Sequence, residues 1–266
     1  MVEFNQEVYD LRPWYHDFAA LGVQTCFPEG FTSRLWQMLS CLRRMIQPGY
    51  VEKGEKFSLR QFLNPRPLAH QTNQSTKEAY LLPFIAQAFD TLGTTPTCLD
   101  LFCADGYYSF HMARLRPEAT ITGVDLDARE IERARLMARL LGAANATFHK
   151  ADVWEFVRDV RSYDLVFCTG GLYHLREPRR FVEQLVPLVG RHLIVQSVVT
   201  LETEDPDYFV SPAPGWQHGS RFTHAGLYGW IKSAGWDIVA DACDELPGNT
   251  RLCDRGSSYF LCSVRS

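Results

Sequence analysis

Three aspartates in the middle of the chain each close a short apolar run: Asp100 in TCLDLF, Asp125 in ATITGVDL and Asp152 in ATFHKAD. Parallel sheets bind their ligands at the edge where the carboxyl ends of the strands meet. Asp125 comes about 20 residues after the turn that follows the first run, which is the spacing of an acid that accepts hydrogen bonds from ribose hydroxyls. Asp152 is expected to accept a hydrogen bond from the adenine amino group, with Val153 against the adenine face. These residues predict a pocket for a nucleoside.

The turn after the first run, FCADG, has only Gly106 in a suitable place, and Phe102 and Ala104 stand at the other small-residue positions. A dinucleotide fingerprint needs three glycines so that the backbone can approach a pyrophosphate. We therefore expect no diphosphate here, which argues against an NAD-dependent dehydrogenase. The turn is expected to contact its ligand mostly through its backbone, and Asp100 is expected to orient it by accepting hydrogen bonds from its amides.

Strand-like and helix-like segments alternate from residue 97 onward, which predicts a parallel sheet with helices on both faces. The predicted parallel strands are 97–102, 119–126, 146–152, 163–170 and 192–200. Two more strands, 236–243 and 257–265, are joined by a segment too short for a crossover helix, so they should pair antiparallel. The fold class is therefore α/β, with a doubly wound, Rossmann-like, seven-stranded and mostly parallel sheet whose last strand is antiparallel.

The helix after the second strand carries its own start and stop signals. Asp127 can cap its first turn, and Glu130 three residues later completes a predicted capping box. Apolar residues recur on one face of the segment, and Gly142 marks its end.

Length, charge and cysteine spacing limit the kinds of protein that this chain can be. The chain has 266 residues, a net charge of −4 and eight cysteines without CxxC spacing, so neither a broad nucleic-acid surface nor a metal site is expected. The start of the chain has no secretory pattern and no run is long enough to span a membrane, which favours a cytoplasmic protein. We expect an N-terminal cap over 1–75 and a ligand-binding domain over 76–266. A Pro/Gly-rich, aromatic insertion over 201–222 would form a lid.

The ordered motifs resemble those of the class I S-adenosylmethionine-dependent methyltransferases. LDLFCADGYYS resembles their first motif, VDLD their ribose-binding acid, ADVW their adenine-contacting segment and YDLVFCTGGLYHL their fourth-strand motif. The resemblance covers roughly 77–266 and implies S-adenosylmethionine as the cofactor. It also implies that Leu126, beside the ribose acid, contacts the cofactor and that Thr169, after the fourth strand, lies under its methionine part.

A narrower resemblance, to the branch of the tRNA wobble-uridine carboxymethyltransferases, is carried by GGLYHLREP, KEAYLLPFI and RPWYHDFAALGV. In that branch a lysine before the first helix and the tyrosine of LYH contact the cofactor, which implies these roles for Lys77 and Tyr173. A second lysine, which holds the extra carboxylate of the branch's modified cofactor, would fall near Tyr15 or His16, and no lysine is there. This departure and the acidic net charge favour ordinary S-adenosylmethionine and an acceptor other than tRNA.

Transfer to an oxygen or nitrogen of a small molecule would need a base, and a histidine titrates in the right range. His16 is the first candidate and His174 the second, with Tyr173 beside it, while Tyr15 and His218 are predicted to contact the acceptor. Two alternatives stay open: a tRNA-modifying methyl- or carboxymethyltransferase, and a binding module that has lost catalysis. The acceptor and the oligomeric state are not determined by the sequence.

Overall fold

The computed structural model describes residues 5–12, 14–25, 69–158 and 161–265. Most of the predicted N-terminal cap, residues 26–68, therefore lies outside the described residues. The predicted division between residues 75 and 76 falls inside one helix, Ala69–Asp90, and the division into cap and domain stays a prediction.

A seven-stranded sheet forms the centre of the described molecule. Its strands, in chain order, are β1 (Thr97–Leu101), β2 (Thr120–Asp125), β3 (Ala146–Lys150), β4 (Tyr163–Thr169), β5 (Val189–Val199), β8 (Asp237–Glu245) and β9 (Gly256–Ser263), and β6 (Phe209–Val210) and β7 (Arg221–Phe222) form a separate hairpin. The order across the sheet is β3-β2-β1-β4-β5-β9-β8, and the pairs from β3 to β5 are all parallel. The predicted fold class is confirmed.

The last strand in chain order is antiparallel to both of its neighbours. β9 inserts between β5 and β8, where Gln196 faces Tyr259 and Tyr259 faces Ala242. The predicted antiparallel pairing of the last two strands is confirmed, and β8 rather than β9 forms the edge of the sheet.

Helices cover both faces of the sheet, because alternate strand residues are apolar on each side. The helices are α1 (Gln6–Asp10), α2 (Ala69–Asp90), α3 (Tyr107–Leu115), α4 (Ala128–Leu141), α5 (Val153–Phe156), α6 (Pro178–Gln184), α7 (His224–Ser233) and α8 (Leu252–Arg255). α2, α3 and α4 share one core with Cys98 of β1, and α5, α6 and α7 share the other with Leu99 of the same strand.

The start of α4 departs from the predicted capping box. Asp127 caps the helix as predicted, since its carboxylate accepts a hydrogen bond from the Arg129 amide at 2.8 Å. Its own amide, however, donates to Asp125 at 2.9 Å, and Glu130 is paired with Arg133. The capping-box prediction is wrong for this reason. The predicted stop is confirmed, because Gly142 has the left-handed φ of 63° that ends the helix.

No helix in the described ranges has the length and hydropathy needed to span a membrane. The same ranges bring together no group of three or more His, Cys, Asp or Glu side chains that could hold a metal ion.

Candidate functional site

The turn between β1 and α3 adopts a glycine-like conformation with only one glycine. Phe102 has a φ of 61° and Ala104 a φ of 47°, beside Gly106 at 80°. Left-handed backbone at a non-glycine residue costs roughly 1–3 kcal/mol and persists where the surroundings fix it. Here the Ala104 amide donates to Asp125 at 2.9 Å. The sequence predicts glycine roles at positions 102 and 104, and the backbone conformation agrees with them.

Asp125 ends β2 beside this turn. Its two carboxylate oxygens accept hydrogen bonds from the amides of Ala104 and Asp127, each at 2.9 Å. Burial raises the pKa of this carboxyl, against the effect of these amides. A carboxylate has about four lone-pair directions. The two amides leave room for the ribose hydroxyls that Asp125 is predicted to bind.

Asp100 has a different role from the one predicted. Its carboxylate is buried and accepts a hydrogen bond from the Ser109 hydroxyl on α3 at 2.6 Å. Burial raises the pKa of Asp100 to about 7, although the bond to Ser109 opposes the shift. The expected bonds to the amides of the turn are replaced by this one. Asp100 therefore fixes α3 to β1, and its predicted contact with the cofactor stays a prediction.

The predicted adenine contacts lie beside Asp125, at the ends of β2 and β3. Asp152 caps α5 by accepting a hydrogen bond from the Trp154 amide at 2.8 Å, and Val153 is buried behind it. Leu126 is 63% exposed, which is unusual for a leucine next to a buried turn. An apolar side chain left open here fits the flat face of a base.

An N-terminal strap, defined as residues 11–25 without residue 13, crosses the carboxyl edge of the sheet. The carbonyl oxygen of Leu11 accepts a hydrogen bond from Arg133 of α4 at 2.8 Å. Further along, the Asp17 amide donates to the Gln74 side chain of α2 at 2.8 Å. The strap therefore spans from α4 to α2 in front of the cofactor turn.

His16, in the middle of the strap, is bound to Asp105 of that turn. The His16 amide donates to Asp105 at 2.8 Å, and the ring Nδ1 lies 2.6 Å from the other carboxylate oxygen. Asp105 is 0% exposed. Burial acts to raise the pKa of Asp105, but His16 outweighs it and holds the pKa below its ordinary value. The His16 ring also stacks on Tyr107 with centroids 4.7 Å apart.

Tyr15 brings the strap close to the segment after β4. Burial raises the pKa of its hydroxyl well above the ordinary value, and the nearby Tyr173, Asp105 and Asp125 raise it further. Tyr173 lies in a short 3-10 helix, Leu172–His174, that follows β4. The two tyrosines are therefore near enough to interact electrostatically.

The other predicted residues differ in their surroundings. Thr169 is buried at the end of β4, as expected for a residue beneath the cofactor. His174 is exposed with its ring 4.1 Å from that of Tyr173, and His218 is exposed beside Trp216. The predicted roles of the two histidines stay predictions, as do those of all the predicted site residues.

Lys77 is buried in α2, with 7% of its surface exposed. Within the described part of the chain no carboxylate or carbonyl accepts a hydrogen bond from its ammonium group, and burial lowers its pKa to about 8. An unpaired buried cation is costly and favours an anionic ligand. A carboxylate-bearing cofactor fits this need.

Cofactor affinity should therefore fall as the pH rises through 8. Below pH 8 Lys77 is charged and attracts the cofactor carboxylate, whereas above pH 8 it is neutral in the free protein. Lys77→Met should weaken binding by about tenfold at pH 7, since a charge-assisted hydrogen bond contributes about 1.5–3 kcal/mol. Calorimetric titration of both proteins from pH 6.5 to 10 checks this, because the titration of the cofactor itself cancels in the comparison. A constant ratio of the two affinities across this range would contradict the prediction.

The side chain of Phe102 packs directly on Gly171, the residue before the 3-10 helix. A Cβ on Gly171 would lie 2.0 Å from the ring of Phe102. The backbone of Gly171 is ordinary, with φ −118° and ψ −37°, so only this contact requires the glycine. Phe102 stands at a position where glycine is expected, and its ring has space because the residue opposite, Gly171, has no side chain.

Gly171→Ala should destabilise the fold by about 2 kcal/mol or more, since overpacking a filled site costs roughly 1–3 kcal/mol. In a Phe102→Gly background the same change should cost under about 1 kcal/mol, because the ring is gone. Urea denaturation of the four proteins measures this coupling. Gly93→Ala, where an added Cβ meets nothing within 4 Å, is the control. Equal costs in both backgrounds would refute the contact.

Sequence reasoning missed three residues that organise the site. Asp105 was noted only as part of the turn, although a charged residue between the two small positions of a ligand-binding turn is a usable signal. Gly171 could have been found from the Gly-Gly pair at 170–171, directly after β4. Arg221 is buried against Tyr173, and no local pattern in the sequence indicates this, since its partners are distant in sequence.

Comparison with known proteins agrees with this geometry. Residues 95–213 match a family described as "Methyltransferase domain". A tRNA (guanine-N(7)-)-methyltransferase of Rubrobacter xylanophilus is 29% identical over 173 residues, which cover 63% of this chain and 74% of the relative. A tRNA U34 carboxymethyltransferase of Idiomarina loihiensis is 29% identical over 106 residues, or 38% of this chain and 32% of the relative. The chain thus matches about a third of the length of this second relative.

A solved structure shows the same fold at low sequence identity. The N-terminal domain of EvdMO1, solved with S-adenosylhomocysteine bound, is 17% identical, with a TM-score of 0.56 over 98% of this chain and 95% of that one. The family match, the relatives and the sheet topology agree with the resemblance found in the motifs. Residues 95–213 match a methyltransferase domain, and the comparisons together with the sheet topology support a class I S-adenosylmethionine-dependent methyltransferase that resembles the tRNA wobble-uridine carboxymethyltransferases and uses S-adenosylmethionine as its cofactor.

Proposed function

We propose that this methyltransferase acts on an oxygen or nitrogen of a small-molecule acceptor. The observation that carries the proposal is the N-terminal strap, which crosses the carboxyl edge of the sheet and is tied to the cofactor turn by His16 and Asp105. The strap also carries Tyr15, whose hydroxyl pKa is raised by Tyr173 of the segment after β4 as well as by burial. We infer that the strap encloses the site on this side. Such an enclosed site suits a small acceptor better than a folded RNA.

The site residues fit S-adenosylmethionine. Asp125 would hold the ribose, Asp152 and Leu126 the adenine, and Lys77 the carboxylate. When bound, the cofactor supplies an electrophilic methyl group on its sulfonium. The protein has to orient the acceptor and exclude water, and alignment of this kind can contribute on the order of 7–11 kcal/mol.

His16 is the proposed base. Its Nδ1–H donates to Asp105, which leaves Nε2 as the atom that can take a proton from the acceptor. His16 would take the proton of the acceptor atom, to which the cofactor would supply its methyl group before leaving as the neutral thioether. Asp105 orients the ring and stabilises the imidazolium that forms.

Modification of tRNA is the second candidate, and the relatives named as a tRNA methyltransferase and a tRNA carboxymethyltransferase favour it. A chain with net charge −4 would need a local basic surface to bind RNA, and that binding would weaken steeply with salt. The absence of a lysine near Tyr15 and His16 favours the ordinary cofactor over the carboxylated one.

Transfer of labelled methyl groups separates the candidates. The protein is incubated with methyl-labelled S-adenosylmethionine and either the small-molecule fraction or the RNA fraction of a cell extract. Label in small molecules, reduced strongly by His16→Ala, supports the proposal. Label confined to RNA, with tRNA binding that falls between 50 and 200 mM salt as about six or more phosphate contacts require, supports the second candidate instead.

A further inference from the structure

Asp254 lies outside the cofactor site, in α8 of the connection between β8 and β9, and holds two arginines. One carboxylate oxygen is 2.5 Å from Nε of Arg221, and the other is 2.7 Å from Nε of Arg251. Arg221 is only 4% exposed, so its positive charge depends on this carboxylate. Arg251 also donates to the carbonyl oxygen of Pro214 at 3.0 Å, which ties the 201–222 segment to α8.

Arg221, held by Asp254, in turn contacts Tyr173. Its guanidinium lies 5.6 Å from the centre of the Tyr173 ring, within the range of a cation–π contact, and one of its nitrogens is 3.4 Å from the Tyr173 carbonyl oxygen. The same carbonyl accepts a hydrogen bond from the Ser220 amide at 2.9 Å. A Cβ on Gly219 would come within 2.5 Å of it, so the 201–222 segment is packed closely against the tyrosine.

The order of the strands gives Tyr173 its place along the cofactor. The adenosine contacts are on β2 and β3, whereas β4 lies on the other side of β1. A ligand held by Asp125 and crossing the turn therefore directs its methionine end toward β4 and the 3-10 helix that carries Tyr173.

We propose that Asp254 is a positioning residue, which holds Arg221 and through it fixes Tyr173 at the methionine end of the cofactor. The inference rests on the proposed site and adds a residue remote from it. Because the contact concerns one end of the ligand only, loss of Asp254 should weaken ligands that have this end and spare those that lack it.

Binding of S-adenosylhomocysteine and of 5′-methylthioadenosine, which lacks the aminocarboxypropyl group, tests this by calorimetry. Asp254→Asn should weaken S-adenosylhomocysteine about tenfold and change methylthioadenosine less than about twofold. In a Tyr173→Ala background the substitution should have no further effect, since coupled residues are not additive. Arg221→Lys keeps the positive charge but loses the hydrogen bonds of the guanidinium to Asp254 and to the Tyr173 carbonyl oxygen. It should show the same selective loss, and it replaces Asp254→Asn if that variant does not fold.

Glu245→Gln is the matched control, because Glu245 pairs with Arg255 in the same connection on the exposed side. It should change neither affinity. Equal weakening of both ligands by Asp254→Asn, or none, would overturn the inference while leaving the cofactor site intact. Failure of the unmodified protein to bind S-adenosylhomocysteine would overturn the site assignment and this inference together.

Discussion

Asp125→Ala should weaken S-adenosylmethionine binding by one to two orders of magnitude, since a hydrogen bond to a charged group contributes about 1.5–3 kcal/mol. Two effects act in the same direction. The predicted bonds to the ribose hydroxyls are lost, and the Ala104 amide loses the acceptor that holds the left-handed turn in place. Isothermal titration calorimetry measures the change directly.

Asp127→Ala is the matched control for this prediction. Asp127 is two residues away and also accepts a backbone hydrogen bond, but its role is to cap α4. Loss of a cap costs about 0.5–2 kcal/mol of stability and should leave affinity within a factor of two to three. If Asp125→Ala bound the cofactor as tightly as Asp127→Ala does, the ribose contact would be assigned to the wrong residue.

Asp105→Ala should destabilise the protein by about 1–3 kcal/mol for each of the two buried donors that lose their acceptor, the usual cost of leaving a buried polar group unsatisfied. The His16 amide and ring would both lose their acceptor, and the N-terminal strap would lose its bonds to the cofactor turn. Urea denaturation at pH 7 gives the change in the free energy of unfolding. Asp17→Ala is the control, since Asp17 lies in the same strap and its carboxylate, within the described residues, accepts an exposed hydrogen bond from the Ala19 amide.

The pH dependence of this pair has a definite sign. His16 holds the pKa of Asp105 below its ordinary value, so the pair stabilises the fold fully above the unfolded pKa of about 3.9. The contribution is lost as the pH falls through the lower pKa of the folded state. Asp105→Asn should therefore lose less stability than the unmodified protein between pH 5 and pH 3. Parallel loss in the two proteins would show that the carboxylate charge does not matter to the strap.

What the sequence could predict follows from how local each feature is. Asp127 at the start of α4 and Gly142 at its end act within one helical turn, so their types alone predicted the boundaries. The acids that follow β2 and β3 were found because a short apolar run followed by Asp is a local pattern. Glu130 misled the prediction, since a capping box and an ion pair with Arg133 use the same residue type at the same position.

Contacts between distant segments could not be predicted in this way. His16 and Asp105 are 89 residues apart, and nothing in PWYHDF indicates which carboxylate the ring will meet. Arg221 and Asp254 are separated by the whole of α7 and β8 and by most of the connection that follows. The glycine-like backbone of Phe102 was equally hidden, because a phenylalanine at that position is unfavourable by itself and becomes acceptable only opposite Gly171.

The inner position of β9 has a consequence for biosynthesis. β5 and β8 are both synthesised before β9, but both pair with β9 in the sheet. Neither strand can form these hydrogen bonds until β9 is available. A growing chain on the ribosome can thus form the half of the sheet from β3 to β5, but β5 keeps an open hydrogen-bonding edge until residue 263 has left the exit tunnel. The pairing of β9 with β5 and β8 joins segments that are distant in sequence, so it forms late and slowly. Until then the nascent chain carries an unpaired strand edge that chaperones can recognise.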